Sequence, residues 1–241
     1  MAKVSQNISS DSLFHFIKRR EWLLAILKKK SFQARYVYED IPEIKYKVGI
    51  PMKCFCDIPL GMIKKHLSNY GKFGIGITKE YAKKNTFSPV IYIHENSDTL
   101  KRYLKSMKKT DIFNDPHSLL PYFKIDERKH KSASGNMLRD RFYDEREWRY
   151  IPSSPKFIDF TGFDEEEIRK TRLDFENKNI DTDLLKYVLP FEYSDITYIF
   201  VQQQEDVDKV IEEIRNTKIE QLQQDRLIAK IITSRQIERD F

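Results

Sequence analysis

The first residues that could carry chemistry are Cys54 and Cys56, the two cysteines of the chain, in the stretch "IPMKCFCDIPLGMIKKHLSNYGKFGIGIT". In a strand, this spacing places both thiols on one face. A zinc site normally needs four ligands, and no second cysteine pair exists, although His66 follows ten residues later. A catalytic thiol needs a neighbouring base, which His66 could supply. We favour a buried strand that delivers Asp57 to the start of a helix, with no metal site, and keep zinc and thiol catalysis as alternatives.

A second candidate is Glu147, in the stretch "RFYDEREWRYIP" that covers residues 141–152. Strand alternation places Phe142, Trp148 and Tyr150 on one face and Tyr143, Glu145, Glu147 and Arg149 on the other. If the Trp148 face packs on the core, Glu147 and Arg149 point toward whatever lies across the sheet. The alternative is an exposed edge strand with weak surface ion pairs.

Two aromatic contexts supply further candidates. His15 lies between Phe14 and Phe16 and precedes an amphipathic helix, so it is either a structural histidine or the start of a ligand-binding loop. Tyr70 ends the helix that is predicted to begin at Asp57. The following "GKFGIGIT" is not a dinucleotide-binding glycine motif, because no strand–turn–helix context follows it. Its glycines indicate a bulge or a close backbone approach instead.

The elements around these residues predict an α+β fold, with a mixed β-sheet and flanking helices, in a single domain over residues 1–241. Residues 12–18 and 32–40 read as short strands, separated by a helix in "REWLLAILKKKSF". Asp57 and Gly71 occupy the positions of a helix N-cap and C′ glycine. The stretch from Lys101 to Lys109 reads as a basic helix, residues 110–140 as helix and loops, and residues 159–180 as irregular. The end of the chain reads β-α-β.

Charge is distributed unevenly along the 241 residues. Residues 1–155 carry 30 Lys+Arg and 17 Asp+Glu (30 − 17 = +13), whereas residues 156–241 carry 13 and 20 (13 − 20 = −7). This asymmetry indicates a nucleotide or nucleic acid bound to the basic part. The alternative is solvated lysines and complementarity between the two parts. Because neither a long apolar run nor a signal peptide is visible, we expect a cytoplasmic protein without a membrane segment.

An ordered set of motifs resembles the AbiGi-type abortive-infection family of bacterial phage-defence proteins. The set comprises "LFHF", "LLAIL", "IPMKCFCDIPL", "HLSNYGKFGIGITKE", "PVIYI" and "EREWRYIP", and spans roughly residues 12–152. The resemblance implies that this chain is the antitoxin-side partner of a toxin encoded nearby. That toxin would be a nucleotidyltransferase-like protein of the AbiGii type. The resemblance also implies phage resistance, with a phage protein as the alternative partner.

A broader resemblance is to ADP-ribosyltransferase-like folds, through an early His, a mid-chain Tyr and a late strand Glu. That resemblance implies NAD as the cofactor. His15 would contact the NAD ribose, and Tyr70 or Tyr81 would stack on the nicotinamide. Glu147 would hydrogen-bond a ribose hydroxyl and stabilise the cationic sugar, so His15, Tyr70 and Glu147 are the predicted catalytic set. Arg146 or Arg149 would pair with the pyrophosphate.

Three functional hypotheses follow from these observations. The chain is an NAD-using defence enzyme of ADP-ribosyltransferase-like fold, a non-enzymatic partner that restrains a toxin, or a nucleic-acid-binding protein. The third ranks last because no known nucleic-acid-binding motif is visible in the sequence.

Overall fold

A computed structural model describes residues 9–41, 46–94, 97–106, 119–131, 136–160, 162–177 and 186–240. The strands are β1 Ser12–Ile17, β2 Ser31–Gln33, β3 Arg35–Ile41, β4 Tyr46–Cys56, β5 Phe73–Thr78, β6 Ser88–Pro89, β7 Ile91–Ile93, β8 Phe123–Ile125, β9 Glu127–Lys131, β10 Met137–Arg141, β11 Glu147–Tyr150, β12 Ile158–Asp159, β13 Val188–Pro190, β14 Ile196–Val201 and β15 Ile231–Thr233. The helices are α1 Arg20–Lys29, α2 Lys64–Tyr70, α3 Lys79–Lys84, α4 Asp98–Ser106, α5 Glu165–Asn177, α6 Gln204–Arg215, α7 Gln221–Ile228 and α8 Ser234–Asp240. The α+β prediction is confirmed.

The chain divides into two compact units, each assembled from separate segments. Unit 1 comprises Met1–Phe32, Cys54–Thr86 and Leu189–Phe241, and unit 2 comprises Gln33–Lys53 and Phe87–Val188. Neither unit ends at residue 155, where the sequence changes from basic to acidic. The expectation that all 241 residues form one domain stays a prediction.

Unit 1 is built on a mixed sheet with the strand order β15-β14-β5-β1-β4, to which β4 contributes its last residues, 54–56. Strands β14 and β15 are parallel, and the other pairs are antiparallel. The buried side chains that form one core cluster here are Phe14, Phe16, Cys56, Ile58, Ile63, Leu67, Phe200 and Ile237. The prediction of a mixed sheet with helices around it is therefore confirmed in this unit.

Gly74 shows why this sheet needs glycine in β5. A Cβ atom at Gly74 would lie 2.6 Å from the backbone oxygen of His15 on the paired strand β1. Real Cβ atoms do not approach oxygen that closely, so the backbones would have to separate. The predicted close backbone approach in "GKFGIGIT" is confirmed at this position.

Unit 2 contains strand β4 with its partners β3, β11 and β12, two separate strand pairs, and helices α4 and α5. Strand β4 pairs antiparallel with both β3 and β12, and β6 pairs antiparallel with β11. Strands β7 and β8 form a parallel pair, whereas β9 and β10 form a separate antiparallel ribbon. The β6–β11 pair positions the predicted site residues, since Arg149 lies opposite Ser88.

Several predicted elements differ in the structure. Asp57 is not a helix N-cap, because α2 begins only at Lys64. Its carboxylate instead accepts the Ser10 backbone N–H at 2.9 Å and contacts Lys79 Nζ at 2.8 Å, which ties the end of β4 to other parts of unit 1. The expected C-terminal position of Gly71 is confirmed, with φ at +126°.

The polar stretches also contain more regular structure than predicted. Residues 159–180, predicted to be irregular, contain helix α5, whose first turn carries three glutamates that favour a helix N-terminus. Within residues 110–140, the described parts form strands β8 to β10 and a 3-10 turn rather than a helix. Helix α4 begins at Asp98 and is described as far as Ser106, so the predicted continuation to Lys109 lies outside the described residues.

The end of the chain contains more helices than the predicted β-α-β pattern. Two helices, α6 and α7, connect the parallel strands β14 and β15, and α8 follows the last strand. Among the helices that the structure describes, none is long and apolar enough to cross a membrane.

Candidate functional site

The charged face of β11 points inward. Arg149 is 0% exposed and Glu147 is 6% exposed, whereas Trp148 and Tyr150 are only half-buried. The predicted alternation is confirmed over Glu147–Tyr150, whereas Phe142–Glu145, predicted as part of the same strand, form a 3-10 turn. The alternative of an exposed edge strand with surface ion pairs was wrong, because both charged side chains are buried. Burying a charge is costly unless it is paired, and both charges are paired here.

The guanidinium of Arg149 donates hydrogen bonds to three acceptors in unit 2. Its Nε donates to Glu147 Oε1 at 2.7 Å, and its Nη2 donates to Glu39 Oε1 at 2.5 Å. Its Nη1 donates to the backbone oxygen of Pro121 at 2.6 Å. A planar guanidinium suits this task better than an ammonium, because its donors have fixed and divergent directions.

Lys124 neutralises the other side of Glu147. Its Nζ donates to Glu147 Oε2 at 2.6 Å and to Glu145 Oε2 at 2.8 Å. Lys124 Nζ also lies 4.9 Å from the centre of the Phe142 ring.

We call Glu39, Lys124, Glu145, Glu147 and Arg149 the Glu147 cluster. Its three carboxylates and two cations give a formal charge of 2 − 3 = −1 when all are ionised.

The surroundings keep Glu147 and Lys124 ionised. Burial alone would raise the pKa of Glu147, but the charges of Arg149 and Lys124 outweigh it and lower that pKa from 4.5 to about 2. Burial alone would lower the pKa of Lys124, but Glu147 and Glu145 raise it above its ordinary value. Glu147 is therefore a carboxylate and Lys124 an ammonium at neutral pH.

Tyr92 completes the environment of Glu147. Its hydroxyl oxygen accepts the backbone N–H of Glu147 at 2.8 Å, so both the main chain and the side chain of Glu147 are held. Burial raises the pKa of Tyr92 to about 12, which keeps its hydroxyl protonated. A network satisfied in this way is rigid, because every group has little freedom to leave its partner.

The residues of the Glu147 cluster lie on three strands and one 3-10 turn. Glu39 comes from β3, Lys124 from β8 and Glu145 from a 3-10 turn over Phe142–Glu145. Arg146 joins that turn to β11 and has φ at +46°, a left-handed conformation that turns the chain into the strand. Sequence reasoning missed Glu39 and Lys124. The only signal for them was that each is a charged residue within a run of strand-forming residues.

This geometry limits what Glu147 can do chemically. Both of its carboxylate oxygens already accept bonds from cations of its own unit. A ribose hydroxyl would have to displace Lys124 or Arg149, or share an oxygen with one of them. The described bonds therefore favour a structural role for Glu147, and its catalytic assignment stays a prediction.

Arg146 differs from Arg149. It is half-buried, and its buried Nε has no hydrogen-bond partner among the described residues. A buried guanidinium N–H without a partner is costly and can be satisfied by an anion. Of the two arginines predicted to pair with a pyrophosphate, Arg146 thus retains a donor for that purpose.

The predicted histidine and tyrosines belong to unit 1. His15 is half-buried, and its Nδ1 donates to the backbone oxygen of Cys54 at 2.9 Å. Its ring lies 5.4 Å from the Phe55 ring and 6.1 Å from the Phe32 ring. The carbonyl bond selects the tautomer that carries its proton on Nδ1, because a carbonyl oxygen can only accept.

The two tyrosine candidates differ in exposure. Tyr70 is 42% exposed at the end of α2, with its ring 5.5 Å from the His66 ring. Tyr81 is 5% exposed, and its hydroxyl donates to the backbone oxygen of Pro190 at 2.8 Å. Tyr70 is therefore the more accessible of the two to a ligand.

The cysteine stretch forms the end of β4, as predicted. Cys56 is buried in the core cluster of unit 1, whereas Cys54 is half-buried, and the two are not joined in a disulfide. Within the part of the chain that the structure describes, no group of three or more His, Cys, Asp or Glu residues is placed to hold a metal ion.

Comparison with known proteins identifies the family. The family model described as "Putative abortive phage resistance protein AbiGi, antitoxin" matches residues 30–202, so the similarity begins later and extends further than the motifs at 12–152 indicated. A protein of Lactococcus lactis subsp. cremoris named "Abortive phage resistance protein AbiGi" is 29% identical over 253 residues, covering 88% of this chain and 100% of that protein. No solved structure matches the chain. With the family model covering well over half of its length, the chain belongs to the AbiGi family of abortive phage resistance proteins.

Proposed function

We propose that this chain is the antitoxin of a phage-defence pair and restrains a toxin protein by binding to it. The observation that carries the proposal is the match to a family described as an antitoxin, which covers all of unit 2 and part of unit 1. The toxin would be encoded by a neighbouring gene and would have a nucleotidyltransferase-like fold.

The charged residues of unit 2 support a binding role over a catalytic one. Catalytic carboxylates usually have perturbed pKa values that keep them available for proton transfer or charge stabilisation near pH 7. Glu147 has the opposite arrangement, since two cations hold its pKa at about 2 and occupy both oxygens. An antitoxin needs such a cluster only as a rigid support for its surface.

Growth of cells that express the neighbouring toxin tests the proposal. We expect co-expression of this chain to restore growth, and His15→Ala to restore it equally well as long as the variant folds. The control is Glu212→Gln, which changes an exposed residue outside the predicted catalytic set. Absence of protection by the folded wild-type chain would overturn the antitoxin assignment. Loss of protection in folded His15→Ala would favour an enzyme.

The second candidate function is an NAD-using, ADP-ribosyltransferase-like activity. The buried Nε of Arg146 favours it, because this group could donate to a pyrophosphate oxygen. The ionised Glu147 could stabilise a cationic sugar if a cation moved aside. The contacts of His15 with the ribose and of Tyr70 with the nicotinamide stay predictions.

Calorimetric titration with NAD separates the two candidates. On the antitoxin proposal, we expect no saturable heat at millimolar NAD for the wild type, because Glu147 is already engaged. Saturable binding that is lost in both His15→Ala and Arg146→Gln, but kept in the exposed control Arg139→Gln, would make the enzyme the better assignment. Circular dichroism would verify that each variant is folded.

A further inference from the structure

We propose that the β9–β10 ribbon of unit 2 binds the phosphate backbone of duplex DNA with one basic face. The ribbon is a two-stranded antiparallel sheet of its own. Every residue of β10 is exposed, including Met137 at 62% and Leu138 at 47%. Isolated two-stranded ribbons are marginally stable in water, so a ribbon this exposed gains most from a partner that covers it. The proposal is independent of the antitoxin function.

The strand register decides which side chains share a face. Arg139 lies directly opposite Lys129, and Arg141 lies directly opposite Glu127. Because side chains alternate, Lys129, Arg139 and Arg141 emerge on the same face, together with Glu127. Among the residues of this face whose side chains the structure describes, there are three cations and one carboxylate, a formal charge of 3 − 1 = +2.

The direct opposition of Arg139 and Lys129 has an energetic consequence. Like charges directly across a strand pair are destabilising. Arg139 is partly compensated by Glu127, to which its Nε donates at 2.7 Å, and Arg141 lies 3.5 Å from Asp144. Both arginines remain more than half exposed. Exposed pairs of this kind are weak, so a phosphate can replace the carboxylates at little cost.

The other end of the ribbon is anchored to the body of unit 2. The backbone N–H of Asp126 donates to the Ile93 oxygen at 3.0 Å, and that of Tyr143 donates to the Asp126 oxygen at 3.0 Å. Arg128 emerges on the opposite face and donates to the Asp40 backbone oxygen at 3.3 Å. The ribbon is thus fixed where it leaves the unit, and the face that carries Arg139 remains exposed along β10.

Shape and spacing favour duplex DNA as the ligand. The major groove of B-form DNA admits a two-stranded β-ribbon, whereas the major groove of duplex RNA is too narrow for side chains to enter. Same-face residues such as Arg139 and Arg141 are about 7 Å apart along a strand, so both can reach the backbone beside the groove. We therefore commit to duplex DNA, with contacts to phosphates rather than to a particular base sequence.

Fluorescence anisotropy with a labelled 20-base-pair duplex tests the ribbon. The triple variant Lys129→Gln, Arg139→Gln, Arg141→Gln removes the three cations. The matched control Lys28→Gln, Lys29→Gln, Lys64→Gln removes three exposed cations from helices of unit 1, with the same change in net charge. The double variant Arg139→Lys, Arg141→Lys keeps the charge. Titrations at 50 to 200 mM NaCl give the salt dependence of the affinity.

We expect the ribbon triple variant to bind DNA at least about tenfold more weakly than the wild type at low salt. The plot of log K against log salt should also become less steep by roughly 2.7, because each lost phosphate contact lowers the steepness by about 0.9. The control triple and the lysine double variant should bind like the wild type. Should the ribbon triple variant fail to fold, Lys129→Gln alone should lower the slope by about 0.9. The proposal is overturned by wild-type protein that does not bind DNA, by equal losses in the control triple, or by tighter binding to duplex RNA.

Discussion

Replacement of Arg149 by methionine is expected to lower the free energy of unfolding by about 3–5 kcal/mol, the range found when one partner of a buried ion pair is removed. Arg149 is 0% exposed and donates to Glu147, Glu39 and the Pro121 backbone oxygen. Methionine fills similar space but leaves all three acceptors without their donor. Buried acceptors without a donor account for most of the expected loss.

Urea denaturation at pH 7 measures this loss, with Arg141→Met as the matched control. Arg141 is in the same unit, but its side chain is 57% exposed, so its replacement should change the free energy of unfolding by less than about 0.5 kcal/mol. Arg149→Lys should fall between the two, because an ammonium keeps the charge but cannot serve three divergent acceptors. Equal stability of Arg149→Met and Arg141→Met would contradict the described enclosure of the guanidinium.

The second large effect is a pH dependence that Glu147 confers. Its pKa is lowered from 4.5 in the unfolded chain to about 2 in the folded one. Ionised Glu147 therefore contributes stability that is fully present above pH 4.5 and is lost as the pH falls toward 2. At pH 7, Glu147→Gln should cost about 2–4 kcal/mol, and this difference from the wild type should shrink steadily between pH 5 and pH 2.

Denaturant titrations of the wild type and Glu147→Gln at several pH values between 7 and 2 test this prediction. Glu212→Gln is the control, since that side chain is 63% exposed and pairs only with Lys209 on the surface of α6 in the described contacts. Its difference from the wild type should stay below about 0.5 kcal/mol throughout. A difference between the wild type and Glu147→Gln that does not change with pH would show that the carboxylate is not held ionised by its neighbours.

Local patterns in the sequence predicted the parts of the fold that depend on neighbouring residues. Strand β1, helix α1 and the glycine-spaced strand β5 were predicted because apolar spacing and turn residues report local conformation. The alternation that separates Glu147 and Arg149 from Trp148 was predicted for the same reason. The acidic composition of residues 159–180 favoured irregular structure, so helix α5 was missed, although acidic residues also favour a helix N-terminus.

The burial of the charged face was not predictable from β11 alone. Charged side chains are normally exposed unless they are paired, and the partners of Glu147 and Arg149 are distant in sequence. Glu39 precedes Arg149 by 110 residues, and Lys124 precedes Glu147 by 23. Asp57 shows the same limit, since its sequence position suggested a helix cap, whereas its partners Ser10 and Lys79 come from other segments.

Binding between the purified chain and the purified product of the neighbouring toxin gene tests the antitoxin proposal most directly. Isothermal titration calorimetry should give a saturable complex, and Glu147→Gln, measured where that variant is folded, should bind with unchanged affinity because Glu147 is enclosed in unit 2. A toxin that shows no binding to the folded wild-type chain, together with saturable binding of NAD, would contradict the antitoxin account and favour the enzyme.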